Sequence, residues 1–165
     1  MRTTIFLITS LYLLALSIPT VALSASFTQA ERDEAYRIAK QRIKQERGSG
    51  KLGFSDLPAL DRLPPEIADM ELVALYLGKT NEHLGDLGTQ VEDISLLRGM
   101  RTLQVLNLTD TPVSSLAALE DMEVLQKLDA SGTRISSLAP LRGKQHLETV
   151  DVAKTNISSI RPLEE

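Results

Sequence analysis

Leu103-Gln-Val-Leu106-Asn-Leu108-Thr-Asp-Thr111-Pro-Val113-Ser-Ser-Leu116-Ala-Ala-Leu119 is followed, in register, by Leu125-Gln-Lys-Leu128-Asp-Ala130-Ser-Gly-Thr133-Arg-Ile135-Ser-Ser-Leu138-Ala-Pro-Leu141. Leu147-Glu-Thr-Val150-Asp-Val152-Ala-Lys-Thr155-Asn-Ile157-Ser-Ser-Ile160-Arg-Pro-Leu163 continues the series. Apolar residues return at matched places every 22 residues. A unit this short cannot bury its own apolar side, so the pattern predicts stacked coils sharing one core.

Working upstream, Thr89, Val91, Ile94 and Leu97 match Thr111, Val113, Leu116 and Leu119. The strand half of that unit reads as Leu72, Leu75 and Leu77. Thr80 and Thr89 then compete for one role, which implies a loop inserted over Asn81 to Gly88. Leu52, Phe54 and Leu57 open a first unit, continued by Leu60, Leu63 and Ile67. Five units result, beginning near Lys51.

The phrase Leu-x-x-Leu-x-Leu-x-x-Thr-x-Val/Ile-x-x-Leu resembles the leucine-rich repeats of bacterial secreted proteins, the internalin-like class with 22-residue repeats. Leu63-Pro64-Pro65-Glu66-Ile67 is similar to phrasing common in bacterial repeats of 23 residues. The resemblance covers residues 51–163. It implies an α/β solenoid: parallel concave strands, an irregular or 3₁₀ convex side, and a helical cap. Where the family carries Asn, this chain has Thr at Thr80 or Thr89, Thr111, Thr133 and Thr155. A hydroxyl still bonds nearby backbone, so the turn is expected to persist with fewer bonds between coils.

Met1 to about Ser24 reads as a secretory signal peptide: Arg2, an apolar run from Ile5 to Leu16, Pro19, and a small-residue exit at Ala22-Leu23-Ser24. The competing reading is an uncleaved anchor, but the run from Ile5 to Leu23 is near the minimum spanning length and contains Thr, Ser and Pro. The expectation is export to the periplasm or beyond, with no membrane contact after cleavage. No cysteine occurs, which excludes a lipoprotein anchor, thiol chemistry and disulfides; the repeat stack needs no staple. There are 18 basic and 22 acidic residues, and Arg2 leaves with the signal, so the net charge moves from −4 to −5. An acidic chain without clustered Lys and Arg argues against nucleic acid as partner.

Residues 25–50 read as a capping helix ahead of the repeat domain at 51–165. Thr28-Gln-Ala-Glu31 is a capping box, and Glu31, Asp33 and Glu34 favour the first turn. Lys44 and Arg47 mark the far end, before Gly48-Ser-Gly50. Tyr36, Ala39 and Ile43, with Ala35 and Ile38 beside them, form a narrow apolar stripe. It suits covering the open end of the first coil. The alternative is a partner-binding or membrane-surface helix, which its mixed charges disfavour.

Alternation along each strand turns the phase of Leu106 and Leu108 inward and leaves one exposed column: Gly53, Tyr76, Asn107, Asp129, Asp151. The neighbouring column is Lys51, Ala74, Val105, Lys127, Thr149. Lys79, Asp110, Ser131 and Lys154 follow the strands. Tyr76, Asn107, Lys127, Asp129, Thr149, Asp151 and Lys154 are the candidate partner-binding residues, with Tyr76 as anchor and the stacked acids selecting charge. Ordinary polar filler is the bland alternative. Within the inserted loop, Leu84 and Leu87 either return to the core or stand at a binding edge.

No metal, cofactor or catalytic site is expected. His83 and His146 belong to different units, His146 on an exposed turn. No nucleophile elbow, phosphate loop or metalloprotease helix is present. Two carboxylates, Asp129 and Asp151, are too few oxygens for Ca²⁺. The sequence stops two residues after Leu163 without a closing helix. That leads to an expectation of end-to-end association or a frayed last unit, unless the chain is truncated. The leading expectation is a noncatalytic protein-binding module. The alternative is an envelope scaffold or self-associating protein that uses the edge of its last repeat.

Overall fold

A computed structural model describes residues 27–80 and 87–164. The proposed signal peptide, His83 and Leu84 lie outside the described residues.

Helix α1 (Gln29–Gln45) begins where the sequence places it. The Thr28 Oγ1 accepts from the Glu31 N–H at 3.3 Å, and the Thr28 N–H donates to the Glu31 carboxylate at 2.8 Å. This reciprocal pair holds the Glu31 carboxyl below its usual range, chiefly through the Thr28 backbone. The buried face is Ala35, Ala39 and Ile43, spaced by four, with Tyr36 and Ile38 half-buried beside it. These small side chains let α1 lie closely on the first coil and join the same apolar cluster as Leu52 and Phe54.

Polar contacts fix the docking angle. Arg42 donates to the Gly53 carbonyl at 2.6 Å and, in a fork, to both carboxylate oxygens of Asp56 at 2.6 and 2.8 Å. Burial pushes the Asp56 carboxyl up, yet Arg42 outweighs it and the net shift is downward. Arg62 stacks 4.5 Å from the centre of the Tyr36 ring, and Lys40 meets Glu66 at 2.7 Å.

Five three-residue strands follow: β1 (Lys51–Gly53), β2 (Ala74–Tyr76), β3 (Val105–Asn107), β4 (Lys127–Asp129) and β5 (Thr149–Asp151). They form one parallel sheet in chain order. Leu52, Leu75, Leu106, Leu128 and Val150 are register partners along it. Gly50, Val73, Gln104 and Gln126 each offer one carbonyl to two successive N–H groups of the next coil. The four strands after β1 thus enter the sheet in the same way.

The return half of each coil carries a short 3₁₀ turn: Pro65–Asp69, Ser95–Leu97, Ala117–Leu119, Ala139–Leu141 and Arg161–Leu163. A turn of 3₁₀ helix suits a stretch too short and too rich in Ser and Pro for an α-helix. Between the two halves lies a single core running from Ala35 to Leu141. Each Leu fully withdrawn from water contributes about 1.5–3 kcal/mol. The fifth coil is less covered: Val150, Val152 and Ile157 are half-buried, and Ile160 is 57% exposed.

The threonine substitution works within each coil. Thr111, Thr133 and Thr155 donate their hydroxyls to the carbonyls three residues earlier, Leu108, Ala130 and Val152, at 2.7, 2.6 and 2.6 Å. Of the two competing threonines in the second coil, Thr89 fills the buried slot at 0% exposure. Its N–H reaches the Leu77 carbonyl at 2.9 Å, as Thr111 reaches Leu108. The chain therefore leaves after Lys79 and returns at Gly88, whose N–H bonds Ser55 of the first coil at 3.0 Å. Leu87 does not return to the core; it is 45% exposed.

One backbone requirement recurs at the repeat period. Gly88, Asp110, Gly132 and Lys154, spaced by 22, all have positive φ, at 72°, 57°, 70° and 57°. Lys154 is therefore the structural equivalent of Asp110 and Gly132, while Ser131 is one place earlier. A lysine there bears the left-handed penalty of about 1–2 kcal/mol.

Candidate functional site

The column that alternation predicts is in register, with Asp151 exposed and the other four positions half-buried. Gly53, Tyr76, Asn107, Asp129 and Asp151 are successive register partners across the sheet, and Lys51, Ala74, Val105, Lys127 and Thr149 form the column beside it. Neighbouring strands stand about 4.8 Å apart, so each column is a row of side chains at that spacing.

Tyr76, Asn107, Asp129 and Asp151 line one shallow groove of about 520 Å³ along the end of the strands. Lys79, Thr80, Thr109, Asp110 and Ser131 complete it. Lys127 and Thr149 stand in the adjacent column, and Lys154 on the turn after β5; none of the three lines the groove. Asp110 and Ser131 extend the groove beyond the candidate residues. Their signal was the repeat itself, since both sit just beyond an exposed strand position.

The column also has a structural duty. Asn107 Oδ1 accepts from the Thr109 N–H at 3.0 Å, Asp129 Oδ1 from the Ser131 N–H at 3.0 Å, and Asp151 Oδ1 from the Ala153 N–H at 2.9 Å. Each closes the turn that ends its strand, a local side-chain to backbone bond typical of Asn and Asp. Ser131 Oγ also donates to Asp129 Oδ1 at 2.6 Å. Asn107 Nδ2 spans coils to the Lys79 carbonyl at 3.3 Å. These bonds hold the side chains in fixed positions and use only Oδ1 of each acid.

Two glycines shape the groove. A Cβ on Gly78 would collide with the Thr109 nitrogen and with Asn107 Oδ1, so the absence of a side chain lets coils two and three approach. A Cβ on Gly132 would collide with Asp110 Oδ1. That missing side chain makes room for the Asp110 carboxylate to lean over the fourth coil, beside Ser131.

Chemically, the groove offers an aromatic ring, a lysine and three carboxylates. Among the described residues, Asp110, Asp129 and Asp151 take part in no salt bridge, whereas Asp33, Glu34, Asp56, Asp61 and Glu66 near the cap are all paired. The described His, Asp and Glu residues nowhere come together as a cage of three metal ligands. No described helix is long and apolar enough to cross a membrane.

No family model matches the chain, and no curated protein matches it. Solved structures do. The crystal structure of internalin C2 from Listeria monocytogenes superposes with a TM-score of 0.64 at 19% identity, over 81% of this chain and 58% of that one. The Listeria monocytogenes internalin InlF matches with a TM-score of 0.53 at 16% identity, over 84% of this chain and 47% of that one. The chain spans about half the length of these internalins. At such identities the likeness concerns the fold, and with the five-stranded parallel sheet and repeated 3₁₀ turns it makes this chain a leucine-rich repeat solenoid of internalin-like architecture.

Proposed function

We propose that the chain is an exported, noncatalytic module that binds another protein through the concave face of its solenoid. The observation that carries this reading is the groove from Tyr76 to Asp151, in which Asn107, Asp129 and Asp151 are fixed by their own turns yet half-buried or exposed. A rigid scaffold presenting pre-positioned groups binds with little ordering cost. Tyr76 supplies the amphipathic anchor common at interface centres. Asn107, Asp129 and Asp151 supply selectivity, with Lys127, Thr149 and Lys154 at the rim. The internalin-like architecture fits a role in protein interaction, and concave repeat surfaces are generally binding surfaces.

The test is affinity capture from a cell envelope with the wild-type chain and a Tyr76→Ala/Asp129→Ala variant as baits. The captured partner is expected to be lost from the variant while its melting temperature falls by no more than a few degrees. Unchanged capture would contradict the concave-face reading.

A second reading, a scaffold that associates through its fifth coil, is favoured by the exposure of Ile160 and of Leu163, at 57% and 39%. Capture or self-association that ignores the concave variant but disappears on Ile160→Asp would favour it instead.

A further inference from the structure

Helix α1 is attached to the repeats differently from the way the repeats are attached to one another. Adjacent coils exchange main-chain hydrogen bonds along the sheet. Among the described residues, no main-chain bond joins α1 to a coil; the Arg32, Glu46 and Ser49 N–H groups reach Thr28, Arg42 and Glu46, within the helix and its ends. Its buried apolar side is slight, Ala35, Ala39 and Ile43, where coil three alone buries Leu103, Leu106, Leu108, Val113, Leu116 and Leu119. Buried apolar area supplies most of what holds a segment down, and segments with little of it open first.

What joins α1 to the first coil is largely charge. Arg32 pairs with Asp61 at 3.7 Å, Asp33 with Arg62 at 3.5 Å and Lys40 with Glu66 at 2.7 Å. These groups are partly exposed, and such pairs hold weakly. Arg42 is different. Its guanidinium is forked onto Asp56, donates to the Gly53 carbonyl and lies 5.9 Å from the centre of the Phe54 ring. A planar fork suits several partners at once, and here one side chain ties the helix to a carboxylate, to main chain and to a ring.

The Gly53 contact has a second consequence. Alternate residues of a strand turn their main-chain groups to opposite neighbours. The Phe54 N–H bonds the Tyr76 carbonyl of coil two at 2.8 Å, so Lys51 and Gly53 direct theirs away from the sheet. Unpaired groups on such an edge are a template for another strand. Ser49 Oγ accepts from the Lys51 N–H at 3.2 Å and donates to the Lys51 carbonyl at 2.7 Å, while Arg42 takes the Gly53 carbonyl at 2.6 Å. Side chains therefore stand where a neighbouring strand would. Ser49 lies between Gly48 at φ +90° and Gly50 at φ +69°, and a Cβ on Gly48 would meet nothing within 4 Å. Such an unpacked link can absorb a change of φ and ψ, as hinges do.

We propose that α1 is a lid. It lifts as one unit about Gly48 while the coils stay folded, and Arg42 is the latch that holds it down and shields the edge of β1.

Native-state hydrogen exchange of the full chain tests this. A detached helix of 17 residues is marginal in water, so lifting exposes its amides together. The α1 amides are expected to share one protection factor, at least about tenfold below that of the β3 and β4 amides. Arg42→Met keeps an aliphatic stem and removes the latch. It is expected to lower α1 protection at least about tenfold further and to change β3 and β4 less than about twofold. Arg37→Met breaks only the Arg37–Glu34 pair within the helix and is expected to leave α1 protection within about twofold of wild type. Thiol labelling is the second measurement. Ala39 and Ala130 are both 0% exposed, one under the lid and one in coil four. The thiol of Ala39→Cys is expected to react at least about tenfold faster than that of Ala130→Cys. Equal protection of α1 and the coils, equal labelling of the two thiols, an Arg42→Met effect no larger than that of Arg37→Met, or one that spreads equally to β3 and β4 would overturn the proposal.

Discussion

Gly78→Ala is expected to destabilise the chain by about 3 kcal/mol or more, the upper end for forcing atoms into a packed region. Gly78 is not in the left-handed region; what it requires is the missing side chain. Its N–H and that of Leu77 share the Asn107 carbonyl, at 3.1 and 2.9 Å. An added Cβ meets the backbone of Thr109 and Leu108 and the side chain of Asn107. Backbone cannot rotate away as the tip of a side chain can, so coils two and three must separate. Gly99→Ala is the control. Gly99 has a φ of +87° but nothing within 4 Å of its Cβ position. Only the left-handed penalty applies, about 1–2 kcal/mol. Urea unfolding of both variants checks the pair. A smaller loss at Gly78 than at Gly99 would contradict the close approach.

Leu106→Ala is expected to cost about 2–5 kcal/mol, through lost burial and the cavity left behind. Leu106 is 1% exposed and lies between its register partners Leu75 and Leu128. A repeat contacts only its neighbours, so the damage is transmitted to the coils on both sides. Val150→Ala removes less volume at the equivalent place in the fifth coil, where the side chain is only half-buried. It is expected to cost about 1 kcal/mol, in proportion to the smaller buried area. Thermal melts of the two variants separate these outcomes. Equal losses would mean that the coils do not share one interior.

Much of this architecture is legible in the residues because it depends on periodic burial. The matched leucines set the strand register, and alternation then assigns Tyr76, Asn107, Asp129 and Asp151 to one exposed column. The capping box at Thr28 is equally local. What stays hidden depends on backbone geometry. Asn107, Asp129 and Asp151 read as free recognition groups, yet each closes its own turn, a role set by the i+2 N–H rather than by burial. The left-handed turn recurs at Gly88, Asp110, Gly132 and Lys154, but only two of the four are glycine, so composition masks it. The contribution of Asp110 to the groove depends on an open space at Gly132 that only coordinates reveal. Leu87 is exposed because the returning chain is tied to Ser55 through its backbone, which apolarity alone does not indicate.

Both the fold and the groove depend on coils stacking in the observed register. The chain has no cysteine, so disulfide trapping can measure that register directly. Val105 and Lys127 are register partners on β3 and β4, with α-carbons at about the 4.8 Å strand spacing, inside the 4.4–6.8 Å range of a disulfide. Val105 and Thr149 are two strands apart, at about 9.6 Å, beyond that range. Mild oxidation of Val105→Cys/Lys127→Cys should give a nearly complete intramolecular bond without loss of melting temperature, and Val105→Cys/Thr149→Cys should give none. A bond in the second pair, or none in the first, would contradict the stacked-coil structure and the binding groove built on it.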